Sequence, residues 1–474
     1  MSERSIALNR FGLGARPEDA LPDDPRGWLE RQLKQYQPRP ASLKSLSSTA
    51  TVVQDIADYQ EQARAVRRAG RDQGDGAGQG GAGDDDVTAA MILRRDARRA
   101  LRFHYNDAVD ARIAAALTTP TPFAERLVHF WANHFAVSAD NAPSTALAGV
   151  FEMEAIRPNI MGSFADLLLA VEQHPAMLLY LNQAESIGPG SSFGQRPRVM
   201  ARKGGLNENL AREILELHTM GVRTGYSQAD VTELARALTG WTVPGIGRRT
   251  GAREVTGGFA FAADLHEPGP RTILGKTYPE AAEDQARSVL SDLAHHPATA
   301  RHLATKLARH FTSDTPPEPM IARLERAFLG SGGDLPTVYR AIIASPEAWS
   351  PQPAKFRSPW EWSIAAMRAT GREAVAAGSG AGLLNQLGQP VWKPGQPSGF
   401  DDISTTWSSS DALMRRVEAA ERLAQRSSDV DARALATRLF PDALSPASAE
   451  ALRRAESSGL ALALLLVTPE MMRR

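Results

Sequence analysis

A helical period of apolar residues recurs along this chain and limits what it can fold into. WLERQLKQY, PFAERLVHFWANHF, SFADLLLAVEQH, NLAREILELHTM, DVTELARAL, TARHLATKLARHF and DALMRRVEAAERLAQR each place apolar side chains near i, i+3, i+4 and i+7. Such a stripe is buried most readily against other helices. The spacing therefore predicts a mainly α fold, a multi-helical orthogonal or bundle-like array. Helix-start signals agree. Thr121-Pro122 has the form of an N-cap followed by N1, and Ser227 with Asp230 has the form of a capping box. Ser345-Pro346-Glu347 and Thr468-Pro469-Glu470 repeat the Pro-start device.

Two stretches break the pattern. GRDQGDGAGQGGAGDDD (70–86) has no apolar residue beyond alanine and predicts a flexible loop. GGFAFAADLHEPGPRTILGKTY (257–278) alternates Phe259 and Phe261 with alanine, then continues through Thr272-Ile273-Leu274 after a Pro-Gly-Pro turn. It predicts a small β-hairpin insertion. The single family unit of residues 1–474 thus divides into N-terminal helices (1–69), the loop (70–86), a central helical core (87–245), the insertion (246–280) and C-terminal helices (281–474). Within the last part, the Gly/Pro-rich stretch 388–407 carries Trp392, Phe400 and Trp407, which predicts a loop pinned to the body.

Composition removes several functions. Lys+Arg and Asp+Glu are 54 each, so no basic surface points to nucleic acid or to an anionic membrane. The chain has no cysteine, so any metal must be held by His, Asp or Glu. The longest apolar run, GLALALLLV, is too short to span a membrane, and MSERSIALNRFGLGARPEDA has no signal-like core. A cytoplasmic protein is expected by default, with export left open. Gly-x-Ser-x-Gly, Walker and dinucleotide fingerprints are missing.

Polar groups that are costly to bury gather in three blocks. In NENLAREILELHTMGV (207–222), a regular helix puts Leu210, Ala211, Ile214 and Leu217 on one face with Asn207 and His218. Asn209, Glu213 and Glu216 lie beside that face, and Glu208 and Arg212 lie toward solvent. Glu216 and His218 then diverge and cannot hold one ion. In PFAERLVHFWANHFAVS (122–138), Phe123, Leu127, Phe130 and His134 share a stripe, while Glu125, His129 and Asn133 form another. His129 and His134 are about 140° apart round the helix, so one helix cannot bring both to one metal. The third block is Asp264-Leu265-His266-Glu267, with Lys276 close by in sequence. A divalent metal such as zinc, iron or manganese would need His129, His134, Glu213, His218 or His266 to meet from different elements. His302, Lys306 and His310, at i, i+4 and i+8, together with Arg301 and Arg309, have the form of a solvated basic face.

Five blocks occurring in this order resemble the large bacterial family catalogued as domain of unknown function 1800. They are PFAERLVHFWANHFAVS, NENLAREILELHTMGV, ADVTELARALTGW, GGFAFAADLHEPGPRTILGKTY and HPATARHLATKLARHF, and the likeness runs from IALNRFGLGARP to TPEMMRR. The resemblance implies a predominantly helical protein with no established activity. It implies as partner a sulfatase-like protein of the family catalogued as domain of unknown function 1501, which is often encoded beside it, and some members carry export signals. It carries over His134, Asn207, Asn209, Arg212, Glu213, Glu216, His218, Trp241, His266 and Lys276. Gly399-Phe400 departs from the Gly-Trp with which the family's loop ends.

Two functions are expected from these residues. In the first, His134, Glu213, His218 and His266 are catalytic groups in a cleft between helices, doing hydrolysis or acid–base chemistry with or without a divalent metal. Asn133, Asn207, Asn209, Arg212, Glu216, Trp241 and Lys276 would then bind substrate. In the second, the chain is a non-catalytic helical scaffold for the sulfatase-like partner, and the same polar groups form a buried network that fixes helix register.

Overall fold

The computed structural model of the chain describes residues 1–75, 84–200, 205–246, 258–427 and 430–474. Helices dominate it, as the apolar period predicts. Among the described residues the sheets are two antiparallel pairs of short strands.

The two longest helices, α1 (Thr49–Asp75) and α2 (Asp84–Thr118), pack against each other. Both run into the stretch 70–86, where a loop was expected. Extending an existing helix costs far less than starting one, so strong flanking segments carry helix into a weak sequence. The rest of the expected loop, 76–83, lies outside the described residues.

Next come α3 (Pro122–His134) and α4 (Ala142–Phe151). Pro122 opens α3 as expected, but the Thr121 hydroxyl pairs with Thr119 instead of capping the helix. Asn141 caps α4, accepting from Ser144 N at 2.9 Å. α4 continues into a π-turn at Glu152–Ile156, and α5 (Phe164–Glu172) follows. α6 (Asn209–Glu213) is short and runs into another π-turn, Ile214–His218. α7 (Gln228–Leu238) opens with the predicted Ser227–Asp230 capping box. α8 (Pro297–Phe311) begins after His296, whose Nδ1 accepts from Ala298 N at 3.1 Å. α9 (Pro359–Ala369) has a capping box of its own, Ser358 with Glu361.

The expected hairpin is present only in the second half of 257–278. β3 (Arg271–Ile273) pairs with β4 (Lys276–Tyr278) across Leu274-Gly275, both at positive φ, as a tight primed turn requires. The Phe259–Phe261 segment does not join it. β2 (Ala260–Phe261) pairs instead with β1 (Trp241–Thr242), directly after α7. Residues 247–257 lie outside the described residues.

Buried apolar side chains form two clusters. One draws on residues between Ile6 and Trp349, including α3, α5, α7 and α8; the other joins residues 356–472 to Leu8, Leu13 and part of α2. α2 serves both. Leu101, Ala108 and Ala115, seven apart, face the first cluster, while Val109, Ile113 and Ala116 face the second. Among the described residues no helix is long and apolar enough to cross a membrane.

Candidate functional site

Between the two clusters a cavity of about 140 Å³ opens, walled by α2, α3, α8, α9 and the loop 389–402. Its α8 wall is the stripe expected to be solvated. Lys306, Arg309 and His310 line the cavity, and His302 Nδ1 bonds Thr219 O at 2.7 Å. Arg301 alone behaves as expected, pairing with Glu318 and Glu325 at the surface. Burial pushes the Lys306 ammonium down to about 8 against the pull of Asp402, with Arg309 adding to the shift.

His310 Nδ1 lies 3.0 Å from Asp402 Oδ2, and its Nε2 lies 3.5 Å from Arg126 Nη1. Burial lowers His310 to about 4 despite Asp402, so the ring is neutral at neutral pH. Burial pushes Asp402 up, but His310 and Lys355 outweigh it and hold it below the ordinary range. Lys355 Nζ reaches Asp402 Oδ1 at 2.9 Å. On the floor, Glu361 takes Arg126 and, at 2.7 Å, Arg474 Nε.

Behind α3 lies a buried charge network. Arg157 grips both Glu125 oxygens, at 3.0 Å from Nη1 to Oε2, and its Nε is 3.4 Å from Glu152. Glu152 also accepts from Trp392 Nε1 at 2.9 Å, and Arg112 Nε lies 2.8 Å from it, too poorly aligned for a hydrogen bond. The Arg112 guanidinium stacks 4.2 Å from the Trp360 ring and 5.1 Å from the Trp392 ring. Burial opposes the charge of Glu125, yet Arg157 holds its carboxyl well below the usual range. His129 Nε2 is 3.4 Å from Glu125, and its Nδ1 accepts from Trp360 Nε1 at 3.2 Å. That is a His–carboxylate pair fixed between two walls.

His134 and His218 come together. His134 Nε2 donates to His218 O at 3.1 Å, and the rings are 6.5 Å apart. His218 Nδ1 bonds Glu172 Oε1 at 2.7 Å, a partner supplied by α5. His134 Nδ1, His218 Nε2 and Glu172 Oε2 are buried without hydrogen-bond partners. Burial, reinforced by Lys306, drives His134 far below its ordinary value. The π-turn carries His218 inward, and Glu216 stays outside on Arg212 at 3.5 Å. Extra residues in a helical turn are unusual and often mark functional positions.

A family model matches residues 6–473. The chain belongs to the family described as protein of unknown function (DUF1800). That span takes in both apolar clusters and every wall of the cavity. No curated protein and no solved structure matches the chain.

The other residues that the DUF1800 resemblance carried over sit away from the cavity. His266 is tied at Nδ1 to Thr239 O, 2.8 Å, and packs edge-on against Phe261. Half-buried Glu213 is pushed up by burial and pulled down by His218. Asn207 donates to Leu181 O and Asn182 O and caps Asn209 N, while Asn209 itself is exposed. Arg212 serves Glu208, Gln228 and Glu216. Trp241 is buried edge-on to Phe259, and Lys276 pairs with Asp292 at the surface. Among the described residues no three His, Asp or Glu side chains are placed to hold a metal ion. The metal candidates are dispersed among separate partners: Glu125 for His129, the His218 carbonyl for His134, Glu172 for His218 and the Thr239 carbonyl for His266.

Asn133, expected to bind substrate, clamps the cavity loop. Its amide accepts from Phe400 N and donates to Phe400 O, both at 2.8 Å. Gly399 makes this approach possible, because a Cβ there would lie 2.2 Å from Asn133 O and its φ is 79°. Gly399→Ala is therefore expected to lift the loop. Amide exchange at Phe400 rises at least about tenfold while α5 is unaffected. Unchanged exchange at Phe400 would show that the clamp does not hold the loop.

Proposed function

We propose that the cavity is the active site of an enzyme working by general acid–base catalysis, hydrolysis included, with His310 as the base. The supporting observation is the His310–Asp402 pair on the cavity wall. Donation from Nδ1 to a carboxylate fixes the tautomer and makes Nε2 the proton acceptor, and a substrate proton there takes the place of the long 3.5 Å contact from Arg126 Nη1. His134, a second neutral imidazole lining the same cavity with an unpartnered Nδ1, is the companion group. His218 and Glu172 act as positioning residues behind it. A divalent metal is not part of this reading, because the histidines proposed to ligate one each answer to a different partner.

The test is turnover of p-nitrophenyl acetate, phosphate and sulfate. The wild-type chain is expected to hydrolyse at least one of them, and His310→Gln to slow it by about 10²-fold or more with folding intact. No turnover by the wild type, or undiminished turnover by the variant, removes the proposal. The scaffold reading is supported by a separate observation, the Glu125–Arg157–Glu152–Arg112 network that ties α2, α3 and the π-turn after α4 together. It leaves the sulfatase-like partner as a proposal, checked by co-purification of the two proteins.

A further inference from the structure

We infer that the cavity binds a small organic anion, its charged head between Lys306 and Arg309 and its apolar body against Phe130 and Phe400. This rests on the reading that the cavity is the site.

The charges on its walls are not evenly spent. Three acids line the cavity. Glu361 is saturated by Arg126 and Arg474, and Asp402 by Lys355 and His310, while Asp401 is exposed and accepts from Thr406 Oγ1 at 3.1 Å. Two of the cations are equally committed. Arg126 also donates to Gly12 O at 2.9 and 2.7 Å, and Arg112 answers Glu152. Lys306 and Arg309 are the exceptions. They stand one turn apart on α8, both line the cavity, and among the described residues neither forms an ion pair or a side-chain hydrogen bond. Arg309 Nε is buried with no partner.

Lys306 is held out of water with only the already paired Asp402 to balance its charge, and such a cation is costly unless something else supplies a counter-charge. Against the two unpaired cations the walls set one carboxylate without a cation partner, the exposed Asp401, so the missing charge is negative. A guanidinium fork beside an ammonium suits an oxyanion, whether carboxylate, phosphate or sulfate. Phe130 on α3 and Phe400 on the clamped loop supply apolar surface on other walls of the same space.

The experiment is calorimetric titration of the full chain with phenyl phosphate, benzoate, inorganic phosphate, benzyl alcohol and benzylamine. At least one aromatic anion is expected to bind, tenfold or more tightly than benzyl alcohol, benzylamine or inorganic phosphate. Lys306→Met and Arg309→Met are each expected to weaken it at least about tenfold, with thermal stability retained or raised, since each removes an unpaired charge. The ranking of benzoate against phenyl phosphate distinguishes carboxylate from phosphate as the head group. The proposal is overturned if no aromatic anion saturates at roughly 10 mM. Equal binding of benzylamine or benzyl alcohol, or undiminished binding in both variants, overturns it as well. Equal affinity for inorganic phosphate overturns the assignment of the apolar body. Anion binding without turnover of any p-nitrophenyl substrate sinks the acid–base reading and leaves this one standing.

Discussion

Lowering the pH from 7 to 4 is expected to strip the protein of much of its folding stability, with buried histidines as the main cause. Burial lowers His174 to about 3, and His302 and His310 to about 4; His129 and His134 are shifted the same way. In the unfolded chain each titrates near 6.5. Between that value and about 4 the unfolded chain takes up protons that the fold refuses. Stability is therefore complete above pH 6.5 and drains away as pH falls toward 4. One histidine held down to about 4 costs on the order of 3 kcal/mol once the shift is fully expressed. Two or three such groups match the 5–15 kcal/mol of a typical fold. Carboxylates act in the same direction lower down. Glu125 and Asp402 are held below their ordinary range, and what they contribute is lost as pH falls below about 4.

His174 shows the structural reason. Its Nδ1 accepts from Ala176 N at 3.1 Å and caps a helix, while Nε2 bonds Thr49 Oγ1 at 3.0 Å. A proton on Nδ1 takes the place of that cap. Urea midpoints followed by tryptophan fluorescence at pH 7.5, 6, 5 and 4 measure the effect, and His174→Asn, which keeps a capping side chain, flattens the slope. A midpoint that is the same at pH 7.5 and pH 5 refutes the account.

Arg157→Met is expected to cost about 3–5 kcal/mol, the largest loss from any single substitution considered. The guanidinium is fully buried between Glu125 and Glu152, and removing it strands two carboxylates away from water. The damage reaches the cavity, because Glu152 anchors Trp392 and Arg112, and Glu125 sits beside His129. Adding Glu125→Gln to Arg157→Met is expected to restore part of the loss, since one stranded charge is gone. The two changes are then strongly non-additive in a double-mutant cycle. A loss below about 1 kcal/mol for Arg157→Met alone would mean that water reaches the network.

The helices were legible because amphipathic spacing is a local signal, and so was the Ser227 capping box. The pinning of the 388–407 loop could be read from its aromatics, and Trp392, Phe400 and Trp407 each make fixed contacts. The first block also pointed outside itself for a partner, and His134 does meet His218. Other features depended on distant sequence. Nothing near His218 names Glu172, 46 residues earlier. Nothing near His310 names Asp402, 92 residues later. The stripe of Lys306 and His310 is basic by itself, and only the second cluster and its loop turn it from surface into cavity wall. The π-turn at Ile214–His218 left no mark, because its apolar residues also fit a regular helix. The alternation at Phe259–Phe261 marks an extended segment but not its neighbour, because Trp241-Thr242 lies beyond the turn signals that suggest hairpins.

The two-sided α2 has a consequence for how this protein is made. Val109, Ile113 and Ala116 leave the ribosome early, but the cluster that covers them is completed by residues 356–472. At ordinary translation rates that face waits on the order of tens of seconds for its cover. For that interval the nascent chain presents an apolar strip that its own later residues have yet to cover.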